Sequence, residues 1–296
     1  LNLSYDVFKQ VNDKIILVSM PAFGSTGPWA NFRAYGSTVE QSSGLPHLNG
    51  SAEDLPTMHH VAYGDAVGGL NGAAALLVAL RHQARTGLGQ FVDVSQVEGL
   101  FPLASHGIME FSANQRHPVR AGNRRDNVNP HGVYPCVGDD AWIVIQIYND
   151  AQWQALRGMA APYLDEFADR FGQPEALDRS IAEWTKQQTA QALMYALQAR
   201  HVPAVVTNKA SELLTDAHLD EGGYWQWMDR AVVGNQPNPS PPFRVNAQRI
   251  KIGKPAPTLG QHNHEILVGE LGISQQQYEL LIERGIIGQR PRMPGS

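Results

Sequence analysis

The chain has 296 residues, 23 Lys+Arg against 28 Asp+Glu for a formal charge of −5, and is 43% hydrophobic and 17% charged. That composition belongs to a folded protein long enough for about two domains and excludes a disordered or fibrous chain. Mild acidity argues against nucleic acid or an anionic membrane as the main partner, and a single cysteine, Cys136, excludes an internal disulfide and an all-cysteine metal site.

The amino terminus, LNLSYDVFKQVNDKIILVSM, shows no basic leader and no apolar segment of signal length. The longest apolar run, Ala73 to Leu80, is far short of the roughly 20 residues that cross a bilayer. The expectation is a cytoplasmic protein with no membrane partner. Asn2-Leu3-Ser4 matches the glycosylation sequon as a chance occurrence. Because the chain does not start with methionine, it reads as the middle of a longer protein or as one whose first residues were removed.

Ile15 to Met20 is a buried-strand run stopped by Pro21, followed by the turn-rich loop PAFGSTGPW. Thr38 to Ser43 predicts a short helix closed by Gly44. From Asp65, DAVGGLNGAAALLVALRHQART predicts a long helix with Asp65 as N-cap and Gly87 as its stop. GLGQFVDVS makes a turn and a strand, and Gln96 to Asn114 predicts a second long helix, so the order suggests βαβ layering in an α/β protein.

Residues 115–130 form a polar, basic, proline-flanked loop. HGVYPC and AWIVIQI then predict a hairpin about Gly138-Asp139-Asp140. Helices are expected over Pro174 to Gln187 and Thr189 to Arg200, before the strand VPAVVT. The tail shows a proline-rich crossing segment from Gln236 to Phe243 and helices from His264 to Leu271 and Ser274 to Arg284. The expected organisation is therefore 1–114 as a large domain, 115–130 as a linker, 131–208 as a smaller α+β domain, and 209–296 as a linker with terminal helices.

Several common sites are absent from the sequence. There is no G-x-S-x-G or phosphate-binding G-x-x-x-x-G-K-[ST] loop, and His264-Glu265 is not completed to H-E-x-x-H. Gly87-Leu88-Gly89 lacks the third glycine of a dinucleotide fingerprint. His59-His60 and His262-x-His264 have no partner pair at metal-ligand spacing, so no metal is expected. What remains is YGDAVGG. A carboxylate at a helix start is favoured in its ionised form by unpaired N–H groups and the macrodipole. Gly68 and Gly69, one turn in, each cost up to about 1 kcal/mol against alanine. Either something bulky approaches the backbone there, or Asp65 is simply a cap and Gly68 with Gly72 admits another helix.

Together with SMPAFGSTGPW, AYGSTVEQSSG, RTGLGQFVDVS, RAGNRRDN, GVYPC and PAPTLGQHNHEIL, the GDAVGG segment resembles the family III CoA-transferases. That group includes formyl-CoA and carnitine CoA-transferases and the α-methylacyl-CoA racemases. The matching segments fall in the family's order over nearly the whole chain. The resemblance implies a Rossmann-like large domain, here lacking its N-terminal portion, plus a smaller α+β domain. It also implies a homodimer whose substrates are an acyl-CoA and a carboxylic acid, with no cofactor beyond CoA itself.

By resemblance Asp65 is the nucleophile. It attacks the thioester to give an acyl-aspartyl anhydride, then an aspartyl-CoA thioester, from which CoA passes to the acceptor acid. Such a carboxylate should be ionised yet poorly solvated. Thirty positions upstream stands Tyr35, where the racemases carry a histidine. A tyrosine titrating near about 10 is a poor base at neutral pH, which argues against racemisation.

Arg33 is implied in the CoA site. Phe23 and Tyr35 of the same stretch are expected to join it in binding substrate or CoA, while Trp29 and Phe32 beside the PAFGSTGPW loop either flank an acyl chain or the adenine or, as the favoured expectation, pack in the core. Backbone N–H groups near Gly68 and Gly69 are candidate oxyanion donors. Arg120, Arg124 and Arg125 form the densest basic cluster, which is either a solvated basic loop or one that sends an arginine, Arg124 or Arg125 by expectation, to a CoA phosphate or substrate carboxylate. Arg124-Arg125-Asp126-Asn127-Val128 stands where formyl-CoA transferases carry glycines, which argues against a formyl/oxalyl pair. Tyr224, Trp225 and Trp227 are expected to pack between tail and body, and Cys136 as an inert core residue. A racemase or isomerase, or a non-catalytic truncated CoA-binding subunit, remains as an alternative.

Overall fold

The computed structural model describes residues 3–58 and 61–290 and divides into two units, residues 1–207 and 208–296. The sequon at Asn2 and the His59-His60 pair lie outside the described residues. The first unit opens with α1 (Tyr5–Val11) and β1 (Ile16–Ser19), continues through α2 (Gly36–Gln41) and α3 (Tyr63–Thr86), and returns in β2 (Gln90–Asp93). β1 and β2 pair in parallel, from Ile16 opposite Gln90 to Ser19 opposite Asp93. Parallel neighbours need a crossover, and the intervening helices supply it. Among the described residues this parallel pair is less than a full Rossmann-like sheet.

The long helix expected over Gln96 to Asn114 is three pieces: α4 (Gln96–Leu100), a 3₁₀ turn (Phe101–Ala104) and α5 (Ser105–Asn114). Pro102 is the cause, since it has no N–H to donate and its ring crowds the preceding turn. The hairpin forms as expected from β3 (His131–Pro135) and β4 (Trp142–Gln146), with Val133 opposite Val144. Next come α6 (Asp150–Met159), α7 (Pro174–Thr185), α8 (Ala190–Gln198) and β5 (Ala204–Val206), which pairs antiparallel with β4. The sequence reading missed α6. Its N-cap Asn149 accepts the Gln152 N–H at 3.0 Å, and it buries Trp153 and Leu156.

Two cores hold this unit. Ile143, Ile145, Leu156, Leu177, Ile181, Leu193 and Leu197 are wholly buried between the three-stranded sheet and α6 to α8. Each such aliphatic side chain contributes about 1.5–3 kcal/mol of burial. A smaller core joins Val39 of α2 to Val97 and Leu100 of α4, with Phe23 and Val67 packed against it.

In the second unit, a 3₁₀ turn (Glu212–Leu214) and α9 (Ala217–Glu221) precede a hairpin of β6 (Trp225–Arg230) and β7 (Gly234–Pro239), then β8 (Arg244–Val245) and β9 (Gln248–Arg249). The first half of the proline-rich segment, Gln236 to Pro239, is thus strand. β7 belongs to a two-stranded ladder, so it has an open edge, where a residue lacking an N–H is tolerated. Tyr224 and Trp225 pack edge to face at 4.9 Å, and Trp225 Nε1 donates to Leu213 O at 2.7 Å. Trp227 is 58% exposed. Residues Glu265–Glu270 form a π-helical turn, and α10 (Gln275–Glu283) starts at a Ser274 cap.

α3 is also apolar enough, by length and composition, to cross a bilayer, with an 18-residue window of mean hydropathy 1.3. The short run Ala73–Leu80 understates this. One edge of α3 is nonetheless used inside the fold. A methyl group at Gly68 would lie 2.9 Å from Gln96 Cγ, and one at Gly72 would overlap Met20 Sδ.

Gly89 shows the tightest backbone approach, since a methyl group there would collide with the carbonyl oxygen of Ile15. Gly89→Ala should destabilise the protein by about 1–3 kcal/mol, as overpacking against an immovable backbone does. Urea denaturation checks this, and an unchanged midpoint would show that the two segments do not meet this closely.

Candidate active site

Two helix starts meet at the site. α3 begins three residues earlier than the sequence suggests, with Ala62 at the N-cap in the left-handed region (φ 47°). Asp65 is therefore the third helical residue, not the cap, and its own N–H bonds Ala62 O at 3.0 Å. It still lies in the first turn, where the macrodipole favours a negative charge. Gly64 next to it is buried against α2: a methyl group there would sit 2.7 Å from Gly36 O and 3.2 Å from Val39 Cβ. Gly36, the first residue of α2, is buried against Asp65 in turn. A methyl group at Gly36 would lie 2.5 Å from Asp65 Oδ2 and 2.6 Å from its Cγ.

The Asp65 carboxylate is thus walled on one flank by the start of α2, while the residue as a whole is exposed. The expected poor solvation is not met within this chain, because nothing in the described residues covers the other flank. The glycines further along α3 also read differently. Gly68 is buried under Gln96, so packing of the chain on itself accounts for it. Gly69 faces open space with nothing within 4 Å. Both lie inside the helix, where N–H groups close i→i−4 bonds, so they are not oxyanion donors. The orphan N–H groups of α3 belong to its first turn.

The PAFGSTGPW loop is held by the end of β2. Asp93 accepts from the Ser25 N–H and the Ser25 hydroxyl, each at 2.8 Å. This clamp supports an aromatic triad. Phe23 meets Trp29 edge to face at 5.5 Å, and Trp29 stacks on Phe32 at 6.0 Å. Phe23 is half-buried, but Trp29 and Phe32 are 53% and 59% exposed, so they form a surface platform, not the core expected of them. Arg33 and Tyr35 follow, both exposed. Tyr35 caps α2 with its backbone, its N–H donating to Thr38 Oγ1 at 2.7 Å, while its ring projects outward.

The basic loop is divided in its uses. Arg120 donates to the carbonyls of Ser51, at 3.2 Å, and Asp54. Arg124 pairs with Glu175 at 3.2 Å and Asp178 at 3.3 Å on α7. Arg125 lies in an isolated bridge opposite Val128, with an exposed side chain. Tyr134 completes the Arg124 network by donating to Asp178 Oδ1 at 2.7 Å. Burial, followed by the Asp178 charge, pushes the Tyr134 phenol far above its ordinary range. Beside it lies a cavity of about 410 Å³ lined by Arg124, His131, Tyr134 and Arg179, among others. Both His131 nitrogens are engaged, by Asn123 O and by Gln146 Nε2 at 3.2 Å. Cys136 is buried in the core as expected, and burial raises its thiol pKa. His264 contacts Gln275 at 3.3 Å and packs edge-on against Tyr278.

Residues 1–263 match the profile described as CoA-transferase family III. A probable CoA-transferase of Mycobacterium tuberculosis is 30% identical over 97% of this chain, which spans 38% of that protein. Succinyl-CoA–D-citramalate CoA-transferase of Chloroflexus aurantiacus is 29% identical over 96% of this chain, which spans 72% of its length. The crystal structure of a CAIB/BAIF family protein from Brucella suis superposes with a TM-score of 0.79 at 26% identity, covering 90% of this chain and 71% of that one.

The Tyr134 and Cys136 shifts set an alkaline limit on stability. Both groups keep their protons in the folded state at pH values where the unfolded chain releases them. Stability is therefore full below the unfolded values, about 8.5 and 10, and falls as pH rises through them. The melting temperature should decline above about pH 8.5, and less steeply in the Tyr134→Phe/Cys136→Ala double variant. Equal declines would contradict these environments.

Proposed function

Because the chain belongs to CoA-transferase family III, we propose that it moves CoA from an acyl-CoA thioester to a carboxylic acid, with Asp65 as the covalent nucleophile. The observation that carries this reading is the Asp65 carboxylate in the first turn of a 24-residue helix, backed by Gly36 and open on its other side. One Asp65 oxygen attacks the thioester carbonyl, and CoA leaves as thiolate, giving an acyl-aspartyl anhydride. The thiolate attacks the Asp65 carbonyl of that anhydride, releasing the donor acid as carboxylate and leaving an aspartyl-CoA thioester. The acceptor carboxylate attacks this thioester and expels thiolate again. Finally the thiolate attacks the acceptor carbonyl, yielding the new acyl-CoA and free Asp65. No proton is consumed overall.

Asp65 is exposed in the chain by itself, so the bound acyl-CoA supplies the desolvation that sharpens a carboxylate nucleophile. The exposed guanidinium of Arg33 suits a CoA phosphate, and the Phe23, Trp29 and Phe32 platform suits the adenine or the acyl group. Tyr35, whose ring is exposed, is a further group for the substrate. With Arg124 engaged on α7, Arg125 is the arm of its loop available to an anionic substrate. The Chloroflexus relative is named for succinyl-CoA, which makes succinyl-CoA with a panel of dicarboxylates the first substrates to test. The resemblance further supports a cytoplasmic homodimer.

Asp65→Ala should lower kcat by at least about 10³-fold, the scale of removing a covalent nucleophile. In the wild type, hydroxylamine quenching during turnover should convert Asp65 to a hydroxamate detectable by peptide mass mapping. Retained turnover in the variant, or adducts only elsewhere, would overturn the assignment. Light scattering should give twice the chain mass, and a monomer would contradict the homodimer.

A further inference from the structure

We propose that Gly36 is a positioning residue for Asp65: its missing side chain is the space into which the carboxylate is set. The inference rests on Asp65 being the nucleophile proposed above, and three observations carry it. The three atoms nearest to a methyl group built on Gly36 are Asp65 Oδ2, Cγ and Oδ1, at 2.5, 2.6 and 2.9 Å. The φ of Gly36 is not in the left-handed region, so its backbone does not demand glycine. Gly36 opens α2 as a buried residue at a helical position where glycine is a poor former, so neither propensity nor exposure explains it.

Gly64 makes the approach possible. Its missing side chain lets the Gly36 carbonyl come close, with a methyl group there falling 2.7 Å from that oxygen. The two glycines differ in what a substitution would strike. At Gly64 the obstacle is backbone, which must shift as a unit. At Gly36 it is the end of a side chain, which can rotate away. Gly36→Ala should therefore leave the fold intact and turn the carboxylate out of its place. Displacements of about 1 Å at a reacting group cost on the order of 100-fold in rate.

The test compares wild type, Gly36→Ala and Gly158→Ala, the last a helix position with nothing within 4 Å of the added methyl group. Three quantities are read: melting temperature, kcat and KM for acyl-CoA, and the rate of carbodiimide-driven amine coupling at Asp65, followed by mass mapping. The expected result for Gly36→Ala is native melting, KM within about threefold, kcat lower by about 100-fold, and a coupling rate at Asp65 clearly changed. Gly158→Ala should match wild type in kinetics and in coupling, with a melting temperature no lower than wild type because alanine is the better helix former.

Unchanged kcat and unchanged coupling in Gly36→Ala would overturn the inference, and so would a variant that fails to fold, because the carboxylate is expected to yield before the helix does. The coupling rate needs no turnover. A wild type that transfers no CoA, with Asp65 coupling still altered by Gly36→Ala, would sink the proposed function and leave the positioning contact standing.

Discussion

Two helices can bring their first turns into contact only where side chains are absent, and Gly36 and Gly64 supply both absences. The crossing of α2 over the start of α3 sets the direction of the Asp65 carboxylate, because the start of α2 occupies one flank and leaves the other to solvent. Val39, one turn along α2, anchors the contact in the small core with Val97 and Leu100. The orientation of the Asp65 carboxylate is thus coupled to burial of a few aliphatic side chains.

The same logic places the surroundings. The parallel pair β1 and β2 brings Asp93 to the loop after β1, where its two carboxylate oxygens take both donors of Ser25. A doubly accepting, charge-assisted contact of this kind is stronger than a neutral hydrogen bond. It fixes the loop that presents Trp29 and Phe32 outward. Arg120 and Arg124, two of the basic cluster whose role the sequence leaves open, tie their loop to residues 51–54 and to α7. Asp65, Arg33, Arg125 and the Trp29 and Phe32 rings are exposed.

Much of the fold was legible because its signals are local. Apolar runs ended by proline marked β1, the Gly138-Asp139-Asp140 turn marked the hairpin, and Gly87 marked the end of α3. Pro102 was overlooked as a breaker within a helical pattern, and α6 was missed although Asn149 offers a cap. β7 read as a loop because Pro237 and Pro239 exclude a central strand but not an edge. At the site, Asp65 stood out by motif and position. The reason for Gly36, and the real occupant beside Gly68, did not, because each depends on a neighbour far away in sequence. Exposure was misjudged for the same reason: whether Asp65 or Trp29 is covered is decided by tertiary partners and not by local pattern.

The most direct measurement is a crystal structure of the protein flash-cooled during turnover with an acyl-CoA donor. Continuous density from Asp65 Cγ to the CoA sulfur, with that carbon lying against the Gly36 Cα, is the expected result. An intact thioester seated against a different side chain, with Asp65 unmodified and turned elsewhere, would contradict it.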